Sequence, residues 1–175
     1  MPPPPRRVLE VGCGRGELAY ALDAAGYKVV AVDPDAPEGT IFRRTTIEEL
    51  DDPGPFDAIV AAFSLHHVED LDAVLDKLRG LLNGVLIVDE FGWDLLDERT
   101  ASHYDLDMDE WRVEHADLHT FEALHEGLEA RFSERYFAWG LYFSRHLEAD
   151  EDDERKLIDA GEIVPLGFRF VGGPL

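Results

Sequence analysis

The sequence has 175 residues, of which 45% are hydrophobic, 10% aromatic and 31% charged, which is ordinary for one globular domain. Its 38 acidic residues against 16 basic ones give a formal net charge of −22, which repels phosphate backbones and anionic lipid. We therefore expect neither nucleic acid nor membrane partners. An anionic small molecule is expected only where a local basic pocket receives it.

Three further features predict a cytoplasmic protein. No apolar run is long enough to span a bilayer. Arg6 and Arg7 lead directly into a strand-like run, which is unlike a secretory leader. The single cysteine, Cys13, cannot form an internal disulfide, as is typical of a reducing compartment.

From Arg7 to about Asp89, short β-rich runs alternate with helical periodicity. Leucines and alanines recur at helical spacing up to Gly26, and Asp70 is placed to cap a second helix that ends at Asn83-Gly84. Repeated strand–helix–strand units predict a parallel sheet with right-handed crossovers. The predicted strands are Val8–Val11, Val29–Val32, Ile41–Arg44, Ala58–Ala62 (opened by Phe56-Asp57) and Val85–Val88.

The second half of the chain has a different texture. Residues 91–116 are rich in aromatic and acidic side chains and have no clean period. Thr120 is placed to cap a helix through about Leu128. Strands at Phe132–Trp139 and Gly167–Val171, with a charged helix between them, predict an antiparallel finish at one edge of the sheet.

The stretch Val8 to Gly16 carries the chemistry of this sequence. Gly12, Gly14 and Gly16 lie where a strand turns into a helix, so the backbone can adopt unusual angles and approach a ligand closely. Asp33, at the end of the second predicted strand, suits the two hydroxyls of a ribose. The pattern predicts a nucleotide-type cofactor.

Two such cofactors compete for this loop. A dinucleotide loop would place its last glycine where this chain has Glu17. Glu10 would also repel a pyrophosphate, whereas S-adenosylmethionine has no phosphate and carries a sulfonium and an ammonium. The electrostatics favour S-adenosylmethionine over a nicotinamide dinucleotide.

These residues, together with the segment from Phe56-Asp57 to His66-His67, resemble class I S-adenosylmethionine-dependent methyltransferases, particularly their small-molecule branch. The resemblance implies an α/β fold: a doubly wound, mostly parallel seven-stranded sheet with helices on both faces and an antiparallel edge strand. It implies a single domain over residues 1–175, with a cofactor-binding half at 7–90 and a substrate-side segment at 91–175.

The resemblance also implies a set of cofactor contacts. Glu10 and the loop glycines should line the methionine end, Asp33 should hold the ribose, and Phe63 should lie along the cofactor. The family often has an aspartate at the adenine amino group, and here Thr46 and the backbone of Ile47 stand in that place. The implied S-adenosylmethionine-binding residues are Glu10, Gly12, Cys13, Gly14, Gly16, Asp33, Pro34, Thr46, Ile47 and Phe63.

His66, His67 and Glu90 are the candidate catalytic residues, because they follow the fourth and fifth predicted strands at the edge where ligands bind in open α/β sheets. Either histidine is a plausible base, and Glu90 could accept a proton or hold an amine. Packing or capping histidines and a solvated acid are the alternatives. No spacing predicts a metal site.

Only the segment MPPPPRR precedes the first strand, where family members usually have cap helices. We expect the pocket to be built from the segment after Asp89, to be open, or to be closed by a partner chain. The expected function is methyl transfer to a small molecule, the acceptor atom being oxygen, nitrogen or carbon. A non-catalytic cofactor-binding or regulatory protein is the alternative. Oligomeric state stays open, with a homodimer among the alternatives.

Overall fold

The computed structural model describes residues 3–4, 6–147 and 149–175. The strands are β1 (Arg7–Val11), β2 (Lys28–Val32), β3 (Phe42–Arg43), β4 (Phe56–Ala62), β5 (Leu82–Phe91), β6 (Phe132–Gly140) and β7 (Gly167–Pro174). The helices are α1 (Glu17–Ala24), α2 (Leu71–Leu81), α3 (Glu98–His103), α4 (Met108–His115), α5 (Phe121–Glu129), α6 (Phe143–His146) and α7 (Glu151–Asp159). Two short 3₁₀ turns span Leu65–His67 and Trp93–Leu95.

The strands form one seven-stranded sheet in the order β3-β2-β1-β4-β5-β7-β6. The pairs among the first five strands are parallel, and β7 runs antiparallel to both β5 and β6. The predicted mostly parallel sheet with antiparallel pairing at one edge is therefore confirmed. The sheet order reverses at β1 and β4, so the loops after these strands border a crevice at their carboxyl ends.

Helices cover both faces of the sheet because the central strands are apolar on both sides. On one face α2 and α5 bury a large cluster that includes Leu9, Ile59 and Phe170. On the other face Leu22 of α1 packs against Val8 and Val60. The Asp70 side chain accepts a hydrogen bond from the Ala73 amide and caps α2 as predicted.

The structure differs from the sequence-based expectation at the end of α2. No turn separates α2 from β5, because the strand begins directly at Leu82. Gly84 lies within this strand, where a side chain would collide with the Asp57 carbonyl of the adjacent strand. Residues 91–116 also form ordered structure, because Asp97 and Asp107 cap two short helices, α3 and α4. These helices pack on an aromatic cluster, too briefly to show a period.

None of the helices in the described part of the chain has the length and apolarity needed to cross a bilayer.

A buried glutamate holds α6 in place. Glu154 of α7 is 1% exposed, and its carboxylate accepts hydrogen bonds from the backbone amides of Tyr142, Phe143 and Ser144 at 2.7–3.0 Å. These amides are at the N-terminal end of α6, where a helix has no backbone acceptors of its own. The short helix therefore depends on this one side chain.

We predict that Glu154→Ala lowers the free energy of unfolding by about 3 kcal/mol, because it leaves buried amides without acceptors. Glu154→Gln keeps one acceptor oxygen, so its free energy of unfolding should lie between those of Glu154→Ala and the wild type. Urea unfolding measures both. Equal stability of all three proteins would contradict this role for Glu154.

Candidate functional site

A cleft of about 670 Å³ opens at the carboxyl ends of β1, β2 and β4. Most of the residues predicted to bind the cofactor converge on it from loops that are distant in sequence. Its walls are formed by Val11, Gly12, Gly14, Val32, Asp33, Pro34, Thr45, Thr46, Ile47, Glu48, Glu49, Phe63, Ser64, His67, Val68 and Glu69.

The three loop glycines have different surroundings, although each has a positive φ. A side chain at Gly12 would collide with Ser64, and one at Gly16 would meet the Phe42 ring at 2.6 Å. At Gly14 nothing lies within 4 Å of the position that a side chain would take. Gly12 and Gly16 are therefore required by packing, whereas Gly14 faces the open cleft.

Asp33 lies at the end of β2 and braces the glycine loop. One carboxylate oxygen accepts a hydrogen bond from the Gly14 amide at 2.9 Å, and the other accepts one from the Asp35 amide at 2.8 Å. A carboxylate has about four lone-pair directions, so it can still accept bonds from a ligand in the cleft. Pro34 follows it on the cleft wall.

Glu10 and Ser64 each have an unsatisfied buried oxygen near this loop. Glu10 is 6% exposed, and neither its Oε2 nor Ser64 Oγ has a hydrogen-bond partner among the described residues. Burial, with a smaller contribution from Asp33, raises the pKa of Glu10 to about 7. A buried polar atom without a partner is costly, so both oxygens suit a polar or cationic ligand.

Cys13 contributes its backbone rather than its side chain to the loop. The thiol is buried with Ala19 and Phe42, and burial, Glu10 and Asp33 raise its pKa to about 12. It therefore stays protonated and unreactive. Cys13, Gly16 and Glu10 do not line the cleft themselves; they support it from below.

The loop after β3 forms the opposite wall of the cleft. Thr46 is half-buried, and its hydroxyl accepts a hydrogen bond from the Glu49 amide at 3.3 Å. Ile47 is 4% exposed and anchors this loop in the main core. Both residues therefore face the cleft at the place that the sequence predicts for adenine.

Phe63 follows β4 in a conformation that aromatic residues rarely adopt, with φ of +50°. Its amide donates a hydrogen bond to the Asp89 carbonyl at 2.8 Å, which holds the turn. The ring stacks toward Phe91 and contacts His146 at a centroid distance of 4.8 Å. Such strain persists where the surroundings determine the position of the residue, as they do here.

The sequence predicts that Glu90 follows the fifth strand at the rim of the sheet. The structure corrects this, because β5 extends through Phe91 and Glu90 lies within the strand. Its side chain is fully buried: Oε1 accepts the Ser64 and Leu65 amides at 2.7 Å, and Oε2 lies 2.6 Å from His66 Nδ1. His66 is 4% exposed. The pair secures the turn after β4, and the Glu90 carboxylate is enclosed by protein groups.

His67 differs from His66 in facing the cleft. Its side chain is exposed at the cleft wall, with the two imidazole centroids 4.1 Å apart. Desolvation, followed by the neighbouring His66, lowers the pKa of His67 below its usual 6.5. The ring is therefore neutral at physiological pH and can accept a proton.

The segment from Trp93 to His119 covers this end of the sheet. The Trp93 indole donates to the Leu118 carbonyl, and the Trp111 indole donates to the Trp93 carbonyl at 2.9 Å. The His119 ring lies 2.8 Å from the Val68 carbonyl, which ties the segment to the turn after β4. The aromatic residues of this segment therefore serve its packing.

Sequence reasoning missed Ser64, Tyr142 and His146. Ser64 was hidden within the strand-end motif, although its place above Gly12 leaves its hydroxyl at the cleft. The His146 ring stacks on Tyr142 at 4.5 Å and contacts Phe63. Neither residue belongs to a sequence pattern, because Glu154 of another helix sets their position.

Comparison with known proteins agrees with this architecture. A family model described as a methyltransferase domain matches residues 1–139. A ubiquinone biosynthesis O-methyltransferase of Rhodopseudomonas palustris is 31% identical over 97 residues, which cover 47% of this chain and 38% of that protein. The match thus spans less than half of that relative's length.

Two solved structures share the fold. An S-adenosylmethionine-dependent methyltransferase from Mesorhizobium loti has a TM-score of 0.67 at 14% identity, covering 98% of this chain and 93% of that one. The N-methyltransferase NodS from Bradyrhizobium japonicum, solved with S-adenosylhomocysteine, has a TM-score of 0.61 at 16% identity, covering 97% and 78%. On the extent of the family match, this chain belongs to the methyltransferase domain family.

Proposed function

We propose that this protein transfers a methyl group from S-adenosylmethionine to a small-molecule acceptor. The observation that carries the proposal is the buried Glu10 carboxylate with an unpartnered oxygen beneath the glycine loop, beside Asp33. Two acids at this end of a cleft oppose a pyrophosphate and suit a ligand with cationic groups. S-adenosylmethionine has such groups, a sulfonium and an ammonium.

Different residues of the cleft contact different parts of the cofactor. Asp33 accepts the ribose hydroxyls with its remaining lone pairs, and the open face of Gly14 admits the methionine portion. Ser64 Oγ supplies an acceptor to the ammonium, and Thr46 with the Ile47 backbone borders the adenine. Residues 7–90 thus form the cofactor-binding half, and residues 91–175 the acceptor side.

When bound, S-adenosylmethionine supplies an electrophilic methyl group, and this chain's task is to align an acceptor with it and to remove a proton. His67 is the candidate base, since it is neutral and exposed at the cleft. Glu90 and His66 are positioning residues: they fix the turn that presents Phe63 and His67.

A hydroxyl is the first acceptor to test. The similarity to a ubiquinone biosynthesis O-methyltransferase favours oxygen, and a neutral histidine suits a hydroxyl that must lose its proton. The test incubates the protein with S-adenosylmethionine and a panel of hydroxylated aromatic compounds and measures S-adenosylhomocysteine. Tight cofactor binding without turnover on any acceptor would favour the non-catalytic alternative.

With an active acceptor, His67→Ala should reduce kcat by about 100-fold, the usual contribution of a general base, while the cofactor Kd changes little. His67→Gln keeps the polarity without the basicity and should be equally slow. Wild-type turnover should fall as pH decreases through a value below 6.5, where His67 becomes protonated. A full rate for His67→Gln would exclude this role.

Cofactor affinity should rise with pH as Glu10 loses its proton. The pKa of Glu10 is raised to about 7 in the free protein, and a bound cation stabilises the ionised form. Below pH 7 binding must therefore expel a proton, so affinity at pH 6 should be about eightfold weaker than at pH 7.5. Calorimetry measures the cofactor affinity at each pH, and Glu10→Gln should remove the part of this pH dependence that is due to Glu10. A Glu10→Gln protein with the wild-type pH dependence would contradict the assignment.

Gly14 and Gly16 offer a matched pair of variants. Gly14→Ala places a methyl group into the open cleft and should weaken cofactor binding more than tenfold with a modest loss of stability. Gly16→Ala directs the same group into Phe42 and should chiefly destabilise the fold. Calorimetry and thermal unfolding separate the two effects. Normal cofactor binding by Gly14→Ala would make that loop position a structural turn only.

A further inference from the structure

A second cavity, of about 320 Å³, lies between the β5–β7–β6 part of the sheet and helices α6 and α7. We name it the arginine cavity, because its wall contains Arg145, Arg155 and Arg169. Its volume suits a small organic molecule. The wall also contains three acids, Asp89, Glu151 and Asp159, so in this chain of net charge −22 the place where positive charge is left over depends on how the arginines are paired.

Two of these arginines share one carboxylate oxygen. Arg145 Nη1 lies 3.0 Å and Arg169 Nη2 2.8 Å from Asp89 Oδ2. Two positive charges on one carboxylate leave one positive charge uncompensated. Both side chains are nearly half exposed, so their guanidinium groups have further N–H donors available to a ligand.

The rest of the cavity wall sets where a ligand can lie. Arg155 is paired with Glu151 at 2.9 Å, and Asp159 of α7 adds a further acid. An anion therefore belongs at the Asp89 end, away from α7. Tyr136, about half exposed and on the same face of β6 as Ala138, supplies aromatic surface for the body of the molecule.

The arginine cavity adjoins the cofactor cleft across Phe63. The Arg145 guanidinium lies over the Phe63 ring at 5.8 Å from its centroid, and Phe63 lines the cofactor cleft. The Asp89 backbone carbonyl accepts the Phe63 amide, while the Asp89 side chain holds both arginines. Arg145, which lines the arginine cavity, and Phe63, which lines the cofactor cleft, thus connect the two.

Helix α6 is built to present Arg145 rigidly. The helix has four residues, and the buried Glu154 satisfies the amides at its start. An isolated helix of this length would not be stable in water. The surrounding protein therefore maintains this helix, which holds the exposed side chains of Arg145 and His146 beside Phe63.

We propose, resting on the methyltransferase function proposed above, that the acceptor is an aromatic carboxylate whose carboxyl group is bound by Arg145 and Arg169. Guanidinium groups bind planar carboxylates with paired N–H donors, which gives direction as well as affinity. The acidic surface does not prevent this, because charges beyond about 8 Å are screened at physiological ionic strength. The anchored carboxylate would direct the nucleophilic end of the ring past Phe63.

Binding of 4-hydroxybenzoate and of 4-hydroxybenzamide by the full chain saturated with S-adenosylhomocysteine tests this proposal. The two compounds have the same shape and differ in charge. Calorimetry should show the carboxylate binding at least tenfold more tightly than the amide, and Arg145→Gln or Arg169→Gln should remove most of that preference. Arg112→Gln, an equal loss of charge at an exposed position of α4, should retain this preference.

Equal affinity for the two compounds, a preference unchanged in both variants, or no carboxylate binding at millimolar concentration would overturn the proposal. Its failure is distinguishable from failure of the methyltransferase assignment. If the protein binds S-adenosylmethionine and methylates neutral acceptors without preferring carboxylates, only the acceptor class is wrong. If the carboxylate preference appears without S-adenosylhomocysteine and no methyl transfer occurs, the arginine cavity stands and the methyltransferase assignment fails.

Discussion

The contact on which the site most depends is the enclosed carboxylate of Glu90. It reaches from β5 to the chain that leaves β4, accepts the Ser64 and Leu65 amides and binds the His66 ring. Three protein groups surround this carboxyl group, so a buried polar side chain that would be costly alone is satisfied. Because that turn is held, Ser64 lies over Gly12 and His67 faces the cleft. Removing the Glu90 carboxylate would release the turn after β4, which carries Ser64 and His67.

The same device is used a second time, at Glu154. Each glutamate is almost inaccessible to solvent, belongs to one element and holds the start of a short helical turn in another. Short helical turns have little stability of their own, so tertiary hydrogen bonds must hold them. The first turn follows Phe63 directly in the chain, and the second contacts the Phe63 ring through Arg145 and His146. Rigid support of this kind is what alignment of two reactants demands.

Charge is organised locally even though the chain as a whole is strongly acidic. Glu10 and Asp33 place two acidic groups at the glycine loop, and burial raises the pKa of Glu10 to about 7. On the other side of Phe63, Arg145 and Arg169 outweigh Asp89. Phe63 borders both environments, since it lines the cleft and its ring lies under Arg145. A cationic cofactor and an anionic acceptor would each find its own side.

The sequence by itself determined the sheet, the glycine loop and Asp33, because period, apolar runs and special backbone angles are local properties that residues carry wherever they fold. The sequence also predicted that Thr46, Phe63 and His67 lie at one edge of the sheet, since the carboxyl ends of parallel strands meet there. Only the tertiary structure decided that Glu90 and His66 are enclosed partners, that Gly14 alone of the three glycines faces open space, and that Arg145 and Arg169 converge. Burial and pairing of these side chains depend on strands and helices far apart in the chain, and no local pattern encodes such meetings.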